Sequence, residues 1–307
     1  MPRRLSASPR GHSARVAAIA DDKQSGDLSV TALYTSHAWK WGGFEDAELF
    51  ATWTGRDVFN WTNLALGGAR LVRRKSPSLR HSLVQRHAII DHMLADSGCH
   101  QVLELAAGLS RRGASVSRDP GMHYVEVDLP KVVAHKQKLL GRTAPGREVA
   151  ARENLRLVAG DVEEIALEDH VDQDGPVFVI AEGLLMYLDA GQQQQLWSRI
   201  QSLLAARPGS KLVFDLVPFC EGRKGGMVGK LLEAMFKKAT RGRTFAFDER
   251  TRDDLTCELR QCGFAEVDLI EPHNAPAEWN LPFLDRLTQT LVFQCAVSAS
   301  RKDSPPA

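Results

Sequence analysis

Apolar runs of strand length alternate with stretches of helical periodicity from about residue 100 onward. This alternation is typical of βαβ units, in which strands and helices follow one another along the chain. We therefore expect an α/β protein built around a sheet. The seven candidate strands are QVLEL (101–105), HYVEVD (123–128), LRLVAGD (155–161), PVFVIAEG (176–183), KLVFDLV (211–217), AEVDLIEP (265–272) and TLVFQCAV (290–297).

The chain before the first candidate strand shows no strand alternation. Four of the six tryptophans lie there, namely Trp39, Trp41, Trp53 and Trp61. Such a segment favours a helical cap laid over the sheet, and ordinary core packing of the tryptophans is the alternative. The predicted organisation is a helical cap (28–98) followed by a sheet domain (99–298).

Both ends of the chain are polar. Residues 1–27 are rich in Arg and Ser, and their apolar stretch at 16–20 is too short for the core of a signal peptide. We expect a disordered tail there, with a mitochondrial transit peptide in the first twenty residues as the alternative. A second disordered tail is expected at 299–307.

Acidic residues recur near the ends of the candidate strands, at Glu104, Asp128, Asp161 and Glu182. Parallel strands end at one edge of a sheet, and ligands of open α/β sheets bind outside that edge. A carboxylate buried without a partner is costly, so we expect these four to converge on one ligand crevice. Capping of the following helix is the alternative for any one of them, as for Asp161 before VEEIALED.

The turn after the first strand, ELAAGLSRRG, bears on the cofactor. Ala106, Gly108 and Arg111 occupy the positions at which the dinucleotide fingerprint has glycines, so the match to a nicotinamide site is poor. The sequence also contains no GxxxxGK[ST] motif for a P-loop. S-adenosylmethionine has no phosphates to bind, and Asp128, twenty residues past Gly108, is suited to its ribose hydroxyls. S-adenosylmethionine is the predicted cofactor.

Four motifs, VLELAAGLSRRG, HYVEVDLP, LVAGDVEE and AEGLLMYL, occur in an order and spacing that resembles the leucine carboxyl methyltransferase family. The resemblance is strongest to bacterial members similar to the tetracenomycin polyketide O-methyltransferase, and covers about residues 80–217 well. It implies a Rossmann-like class I methyltransferase fold, with a seven-stranded, mostly parallel sheet whose last strand is antiparallel. It also implies S-adenosylmethionine as cofactor and an oxygen, often of a carboxylate, as acceptor.

The resemblance further implies the positions that contact the cofactor. Gly108 would lie against it, Asp128 would bind the ribose, and Glu182 would lie beside the methionine end. The adenine would be flanked by Asp161 and Val162. Glu104, as another acid near a strand end, is assigned to the same site.

The family also places an arginine in a helix before the first strand, and Arg86 is the match here. In projection, a helix over 82–95 puts Arg86 between Ile90 and Met93 on an apolar arc, where a guanidinium requires an anion. Extension of its stem past these neighbours to solvent is the alternative. Some family members have an aspartate where this chain has Ser110, which leaves the fine contacts of the turn open.

On the acceptor side, methyl transfer mainly requires that the acceptor oxygen be held in line with the methyl group. An ionised carboxylate needs no base, whereas a phenol gains from one. Candidate bases, by location only, are His37, His81, His87 and Asp215, and candidate clamps for the acceptor are Tyr187, Arg80 and Tyr34. We assign Tyr187, Arg80 and His37 to the acceptor side. Residues 33–44 could form a closing lid or a fixed packing segment, and 218–245 could form the other pocket wall.

Composition narrows the choice of partners. The 39 Lys and Arg nearly balance the 38 Asp and Glu, so the chain lacks the basic excess of a nucleic-acid binder. No apolar run reaches the about 18 residues needed to cross a bilayer. The five cysteines form no CxxC pair, which suits free thiols in a reducing compartment. No HExxH motif occurs, and His87 with Asp91 is an isolated pair, so no metal site is predicted.

These observations predict a cytoplasmic, S-adenosylmethionine-dependent O-methyltransferase that is a monomer or homodimer. Its expected partner is a small molecule with a carboxylate or phenolic oxygen, in polyketide or other secondary metabolism, with neither nucleic acid nor membrane as a partner. The alternatives are a protein carboxyl methyltransferase, an NAD(P)-dependent oxidoreductase, and a cofactor-binding protein without catalysis.

Overall fold

All seven candidate strands form one sheet in the computed structural model, which describes residues 30–72, 77–172, 174–216, 218 and 250–297. Both predicted tails, and the predicted pocket wall beyond residue 218 up to 245, lie outside the described residues. The strands are β1 (Gln101–Leu105), β2 (His123–Asp128), β3 (Leu155–Ala159), β4 (Val177–Ala181), β5 (Lys211–Asp215), β6 (Glu266–Ile270) and β7 (Val292–Ala296).

The strand order is β3-β2-β1-β4-β5-β7-β6. Neighbouring strands pair in parallel except at β7, which is antiparallel to both β5 and β6. The predicted α/β fold, with a mostly parallel sheet and an antiparallel last strand, is confirmed. Because the chain runs outward from β1 to β2 and β3 and then returns to β4, a crevice opens at the carboxyl ends of β1 and β4.

Nine α-helices accompany the sheet within the described ranges. They are α1 (Val30–Trp41), α2 (Ala47–Phe50), α3 (Trp53–Val72), α4 (Leu79–Ala95), α5 (Arg112–Val116), α6 (Pro130–Leu140), α7 (Ala144–Ala150), α8 (Ala190–Ala205) and α9 (Arg252–Gln261). None of these helices combines the length and the hydropathy required to cross a bilayer.

Helices α1 to α4 precede the sheet in the chain, and α1 packs on α3 and α4. Only Trp39 of the four tryptophans in this segment is buried, whereas Trp53 and Trp61 are more than 60% exposed. Helix α4 packs directly against the sheet through Ile89 and Ile90, so it belongs to the sheet's core. The predicted boundary between cap and sheet domain stays a prediction.

The core has two layers because alternate strand residues face opposite sides of the sheet. One layer packs Leu103, Val179 and Phe214 against Trp197 and Ile200 of α8. The other packs Val102, Phe178 and Val213 under α4. β1 and β4 are buried along their whole length, as expected for central strands covered on both faces.

The layer under α4 becomes polar toward the carboxyl ends of the strands. Glu104 of β1 lies beside Glu126 of β2 in the register, and both side chains are buried. Buried carboxylates require partners, and the cationic partners of these two are Arg112 on α5 and Lys136 on α6. The candidate site therefore lies at the carboxyl ends of the strands, where the side chains of this layer change from apolar to charged.

Helix α8 begins with a reciprocal cap that should contribute measurably to stability. Asp189 Oδ1 accepts the N–H of Gln192 at 2.9 Å, and Gln192 Oε1 accepts the N–H of Asp189 at 2.9 Å. We expect Asp189→Ala to lower the free energy of unfolding by about 1 kcal/mol in urea denaturation, and Asp189→Asn by much less. The control is Asp253→Ala in the first turn of α9, which is exposed and removes no cap. Equal losses for Asp189→Ala and Asp253→Ala would contradict the assigned cap.

Candidate active site at the carboxyl ends of the strands

The turn that joins β1 to α5 is tied to the end of β2. Ala106 and Gly108 both have left-handed backbone, with φ of 52° and 56°. The N–H of Gly108 donates to Asp128 Oδ2 at 2.6 Å. A side chain on Gly108 would point into open space, with Ala32 of α1 as its nearest neighbour at 3.9 Å. Glycine therefore keeps this part of the crevice clear while the turn stays fixed.

Asp128 is the last residue of β2 and is only partly buried. Its other oxygen, Oδ1, accepts the N–H of Leu129 at 2.7 Å. Burial raises the pKa of Asp128, and the two backbone N–H donors partly oppose that rise. Since each carboxylate oxygen has two lone pairs, Asp128 can still accept a hydrogen bond at each oxygen from a ligand in the crevice.

Asp161 and Val162 follow β3 and lie next to Asp128 in the sheet. The N–H of Gly160 donates to the carbonyl of Asp128 at 2.9 Å. Asp161 Oδ1 accepts the N–H of Glu163 at 3.0 Å, a local turn contact of the kind that the capping alternative expected. Val162 is buried in the core beside β4. The structure thus brings both residues to the side of the crevice formed by β2 and β3.

A second buried pair supports the glycine turn from behind. Lys136 of α6 donates to the carbonyl of Ser110 at 2.6 Å and forms an ion pair with Glu126. Burial raises the pKa of Glu126 to about 7, against the opposing charge of Lys136. The Ser110 hydroxyl accepts the N–H of Arg112 at 3.2 Å, so serine holds the start of α5 at the position where some family members have an aspartate.

The acids on the α4 side of the crevice are paired with cations of the same chain. We name this group the charge cluster. It comprises Arg86, His87, Asp91, Glu104, Arg111, Arg112, Glu182 and Asp215. Their side chains are at most 10% exposed, except for Asp91 at 25%. Three arginines face four carboxylates, which leaves one formal negative charge if His87 is neutral.

Glu182 is bound by three side chains of the charge cluster. Oε1 accepts Arg86 Nε at 2.9 Å, and Oε2 accepts Arg112 Nη2 at 2.8 Å and His87 Nδ1 at 2.9 Å. Burial alone would raise the pKa of Glu182, but the neighbouring His87, Arg86 and Arg112 hold it well below its usual range. The predicted contact of Glu182 with the methionine end of a cofactor stays a prediction.

Arg86 joins the ends of β4 and β5. Its Nη1 donates to Asp215 Oδ2 at 2.8 Å, and Asp215 Oδ1 accepts the N–H of Gly183 at 2.5 Å. No described residue accepts a hydrogen bond from the third nitrogen, Nη2, which lies 3.5 Å from where a side chain on Gly183 would begin. The sequence argument required an anion for Arg86, and the chain supplies two while leaving Nη2 at the crevice.

His87 is buried and its tautomer follows from its neighbours. Arg111 Nε, which can only donate, lies 3.1 Å from His87 Nε2, so we assign the lone pair to Nε2 and the proton to Nδ1, which donates to Glu182. Arg112 Nη2 also lies 2.9 Å from Nδ1, and in this tautomer its hydrogen bond goes to Glu182 Oε2 instead. Burial and the charge of Arg112 lower the pKa of His87 well below its ordinary value. Trp39 of α1 packs against the imidazole with ring centroids 4.4 Å apart and the ring planes tilted by 30°. His87 is therefore a neutral connector.

The residues assigned to the acceptor side lie in three separate places. Tyr187 follows β4 in a short 3-10 turn, and its hydroxyl donates to Thr31 of α1 at 3.0 Å. The guanidinium of Arg80 lies over the ring of Trp41 at 4.5 Å. His37 packs against Phe59 at 5.1 Å, about 9 Å along α1 from Thr31. The structure brings Tyr187 to the crevice and α1, and their roles stay predictions.

The segment considered as a lid, 33–44, is mostly helix α1. Leu33, Ala38 and Trp39 are buried, and Phe44 contacts the edge of His87 with ring centroids 5.0 Å apart. These contacts are typical of a packed segment, and this segment covers His87 of the charge cluster. The fixed-packing alternative describes this segment better than a lid does.

A model of the leucine carboxyl methyltransferase family matches residues 45–201 of this chain. A relative from Mycobacterium sp. strain JLS, named as a candidate S-adenosyl-L-methionine-dependent methyltransferase, is 30% identical over 227 residues. That match covers 71% of this chain and 73% of the relative. The chain belongs to the leucine carboxyl methyltransferase family. A Mycobacterium marinum relative with the same name is 32% identical over 183 residues, which is 56% of each protein.

As a member of the leucine carboxyl methyltransferase family, the protein is an S-adenosylmethionine-dependent methyltransferase, and the nicotinamide alternative is set aside. Among solved structures, an O-methyltransferase family protein from Burkholderia thailandensis matches with a TM-score of 0.48 and 14% identity, covering 83% of this chain and 63% of that one. The mitomycin 7-O-methyltransferase matches with a TM-score of 0.47 and 16% identity, and the match covers 86% of this chain and 66% of that one. These superpositions are loose, so the family assignment depends on the sequence matches.

Sequence reasoning missed Arg111, Arg112 and Asp91 as members of the site. The available signal was a pair of adjacent arginines directly after the glycine turn of this family, in a stretch that is otherwise small or apolar. In the sequence, His87 and Asp91 are an isolated pair at helical spacing, and the structure shows that both residues bind these arginines.

The neutral, buried state of His87 predicts a pH dependence of stability. A folded-state pKa below the unfolded value contributes stability that is complete above the unfolded pKa of about 6.5 and is lost as the pH falls below it. Gln can donate to Glu182 and accept from Arg111 without titrating. We expect His87→Gln to reduce the slope of unfolding free energy between about pH 6.5 and pH 5, by up to about 1.4 kcal/mol per pH unit. Urea denaturation across this range measures it, and identical slopes for both proteins would contradict it.

Proposed function

We propose that the protein methylates a carboxylate or phenolic oxygen of a small molecule in polyketide or other secondary metabolism, with a carboxylate as the favoured acceptor. We favour a carboxylate over a phenol because of the hydrogen bonds and the burial of the candidate bases. Among the described residues, His87 and Asp215 are buried and engaged in the charge cluster. His81 is buried with its Nδ1 against the hydroxyl of Ser78 at 2.5 Å.

An acceptor that is already ionised suits a site whose candidate bases are engaged. A carboxylate is ionised at neutral pH and needs no proton removed, whereas a phenol gains from a base in the transition state. His37, the remaining candidate, packs in the interface of α1 and α3, where burial and nearby Lys40 and Arg56 lower its pKa. The tyrosine hydroxyl of Tyr187, at the end of β4, is the proposed contact for the acceptor.

The residues of the crevice fit S-adenosylmethionine. When bound, this cofactor supplies a methyl group on a sulfonium, and the thioether that remains after transfer is a good leaving group. Gly108 leaves room for a ligand, and Asp128 has lone pairs for the ribose hydroxyls. Asp161 and Val162 are proposed to flank the adenine. The task left to the chain is to hold the acceptor oxygen in line and to exclude water.

The methionine end is proposed to lie beside the charge cluster. Arg86 Nη2 would bind the carboxylate of the methionine, and Glu182 Oε1, which has a lone pair beyond its bond to Arg86, would accept from the ammonium. Glu104 is buried, with 1% of its surface exposed, and its oxygens accept from Arg112 and from the hydroxyl of Tyr124. Glu104 is therefore proposed to act through Arg112.

The proposal is tested by incubating the protein with S-adenosylmethionine labelled in its methyl group and with paired libraries of small carboxylic acids and phenols. Products are identified by mass, and alkaline release of labelled methanol separates carboxyl esters from phenolic ethers. Ester products with small acids support the proposal. Label found in added polypeptides would favour the protein carboxyl methyltransferase, and tight S-adenosylhomocysteine binding with no transfer would favour the non-catalytic alternative.

We expect Asp128→Asn to weaken S-adenosylhomocysteine binding at least about tenfold, equivalent to about 1.4 kcal/mol. The amide keeps the shape of the side chain but replaces one acceptor oxygen with a donor. It therefore cannot accept both backbone N–H groups of the turn and the ribose hydroxyls as the carboxylate can. Calorimetric titration measures the dissociation constant. The control is Asp119→Asn, whose exposed side chain accepts only the local N–H of Gly121 among the described residues. Unchanged affinity in folded Asp128→Asn would remove Asp128 from the ribose site.

A further inference from the structure

Arg112 contacts three carboxylates that come from three different elements. Nε donates to Asp91 of α4 at 2.6 Å, Nη1 to Glu104 of β1 at 2.7 Å, and Nη2 to Glu182 after β4 at 2.8 Å. Its residue exposure is 0%. Burial of an arginine is costly unless its donors are satisfied, and here each of its three nitrogens has an anionic partner.

The backbone of Arg112 belongs to the cofactor turn. It is the first residue of α5, four positions after Gly108, and its N–H donates to Ser110 Oγ at 3.2 Å. One residue therefore connects the turn that faces the cofactor to the carboxylate at the end of β4. A movement of either element changes the geometry of this residue's contacts.

Arg112 also determines which oxygen of Glu182 is available. Arg112 and His87 both donate to Oε2, which uses both of its lone pairs. Oε1 accepts only from Arg86 among the described residues, so one lone pair remains on that oxygen. A cationic ligand group entering the crevice can therefore be bound by Oε1 and not by Oε2.

We propose that Arg112 is a positioning residue, which fixes the orientation of Glu182 and its distance from the glycine turn so that both meet S-adenosylmethionine. The inference depends on the proposed role of Glu182 at the methionine ammonium. No part of it requires a particular methyl acceptor.

The charges around Glu182 supply a second readout. They come from Arg86 on α4, from Arg112 on α5 and from Asp215 at the end of β5, and the neutral imidazole of His87 on α4 faces the same carboxylate. Against the effect of burial, the cationic neighbours hold the pKa of Glu182 well below its usual range. Moving the positive charge of Arg112 away would raise the pKa of Glu182, so ammonium binding would be lost at a higher pH on acidification.

The test uses Arg112→Lys, which keeps one charge but cannot span three carboxylates. Calorimetric titration with S-adenosylhomocysteine is carried out from about pH 8 to about pH 5. We expect Arg112→Lys to weaken S-adenosylhomocysteine binding about tenfold near pH 8. The affinity of this variant should fall further as the pH is lowered, whereas the affinity of the parent protein should stay constant. The matched control is Arg118→Lys, in the same segment, where an exposed arginine pairs with Glu45 and Asp46.

Glu182→Gln, alone and combined with Arg112→Lys, separates this inference from the proposed function. If Arg112 acts through Glu182, the second substitution adds little to the loss caused by Glu182→Gln. Additive losses, or a folded Arg112→Lys protein with the affinity and pH profile of the parent, overturn the inference alone. Unchanged affinity in Glu182→Gln overturns the proposed role of Glu182 as well.

A milder variant covers the case in which Arg112→Lys does not fold. Asp91→Asn weakens the anchor of Arg112 on α4, together with the ion pair between Asp91 and Arg111, and leaves Glu182 itself unchanged. Asp91 is the most exposed member of the charge cluster. We expect a smaller loss of S-adenosylhomocysteine affinity in Asp91→Asn, again absent in the Glu182→Gln background. A loss of equal size in both backgrounds would show a general structural effect and overturn the inference.

Discussion

The pairing of Glu182 with Arg112 is the interaction on which the site depends. Taking a carboxylate and a guanidinium out of water costs several kcal/mol each, and removing one partner of such a pair typically costs about 3 to 5 kcal/mol. Once Arg112 is buried, Asp91, Glu104 and Glu182 must be placed around it, because each satisfies a different nitrogen. The ends of β1 and β4 and the C-terminal part of α4 are thereby fixed relative to one another.

This constraint explains why a polar region occurs within a well-packed α/β core. The layer under α4 is apolar through Val102, Phe178 and Val213 and becomes ionic only where the strands end. The ionic part borders the crevice, where Gly108 leaves space and Asp128 has unused acceptor capacity. The charge cluster thus supplies an oriented and slightly negative wall to the crevice, and this charge suits the cationic cofactor that we propose to bind there.

Much of the fold was predictable from the sequence. The seven strands occur where the apolar runs predicted them, and only their ends differ, since residues such as Asp161 and Glu182 have already left the ladder. Helix projection placed Arg86 on an apolar face, and the structure buries it there. The partners of Arg86 were not predictable, because Glu182 and Asp215 lie 96 and 129 residues away along the chain.

The sequence by itself determined the α/β fold class, the order of the strands along the chain and the acids at their ends, because hydrophobic periodicity is a local property. Family motifs added the cofactor. Tertiary structure alone decided which charges neutralise one another: the acid at the end of β4 faces Arg86, His87 and Arg112 of the same chain. Electrostatic partners of a buried group are chosen by distance in space, and that distance exists only after α4, α5 and the sheet have packed.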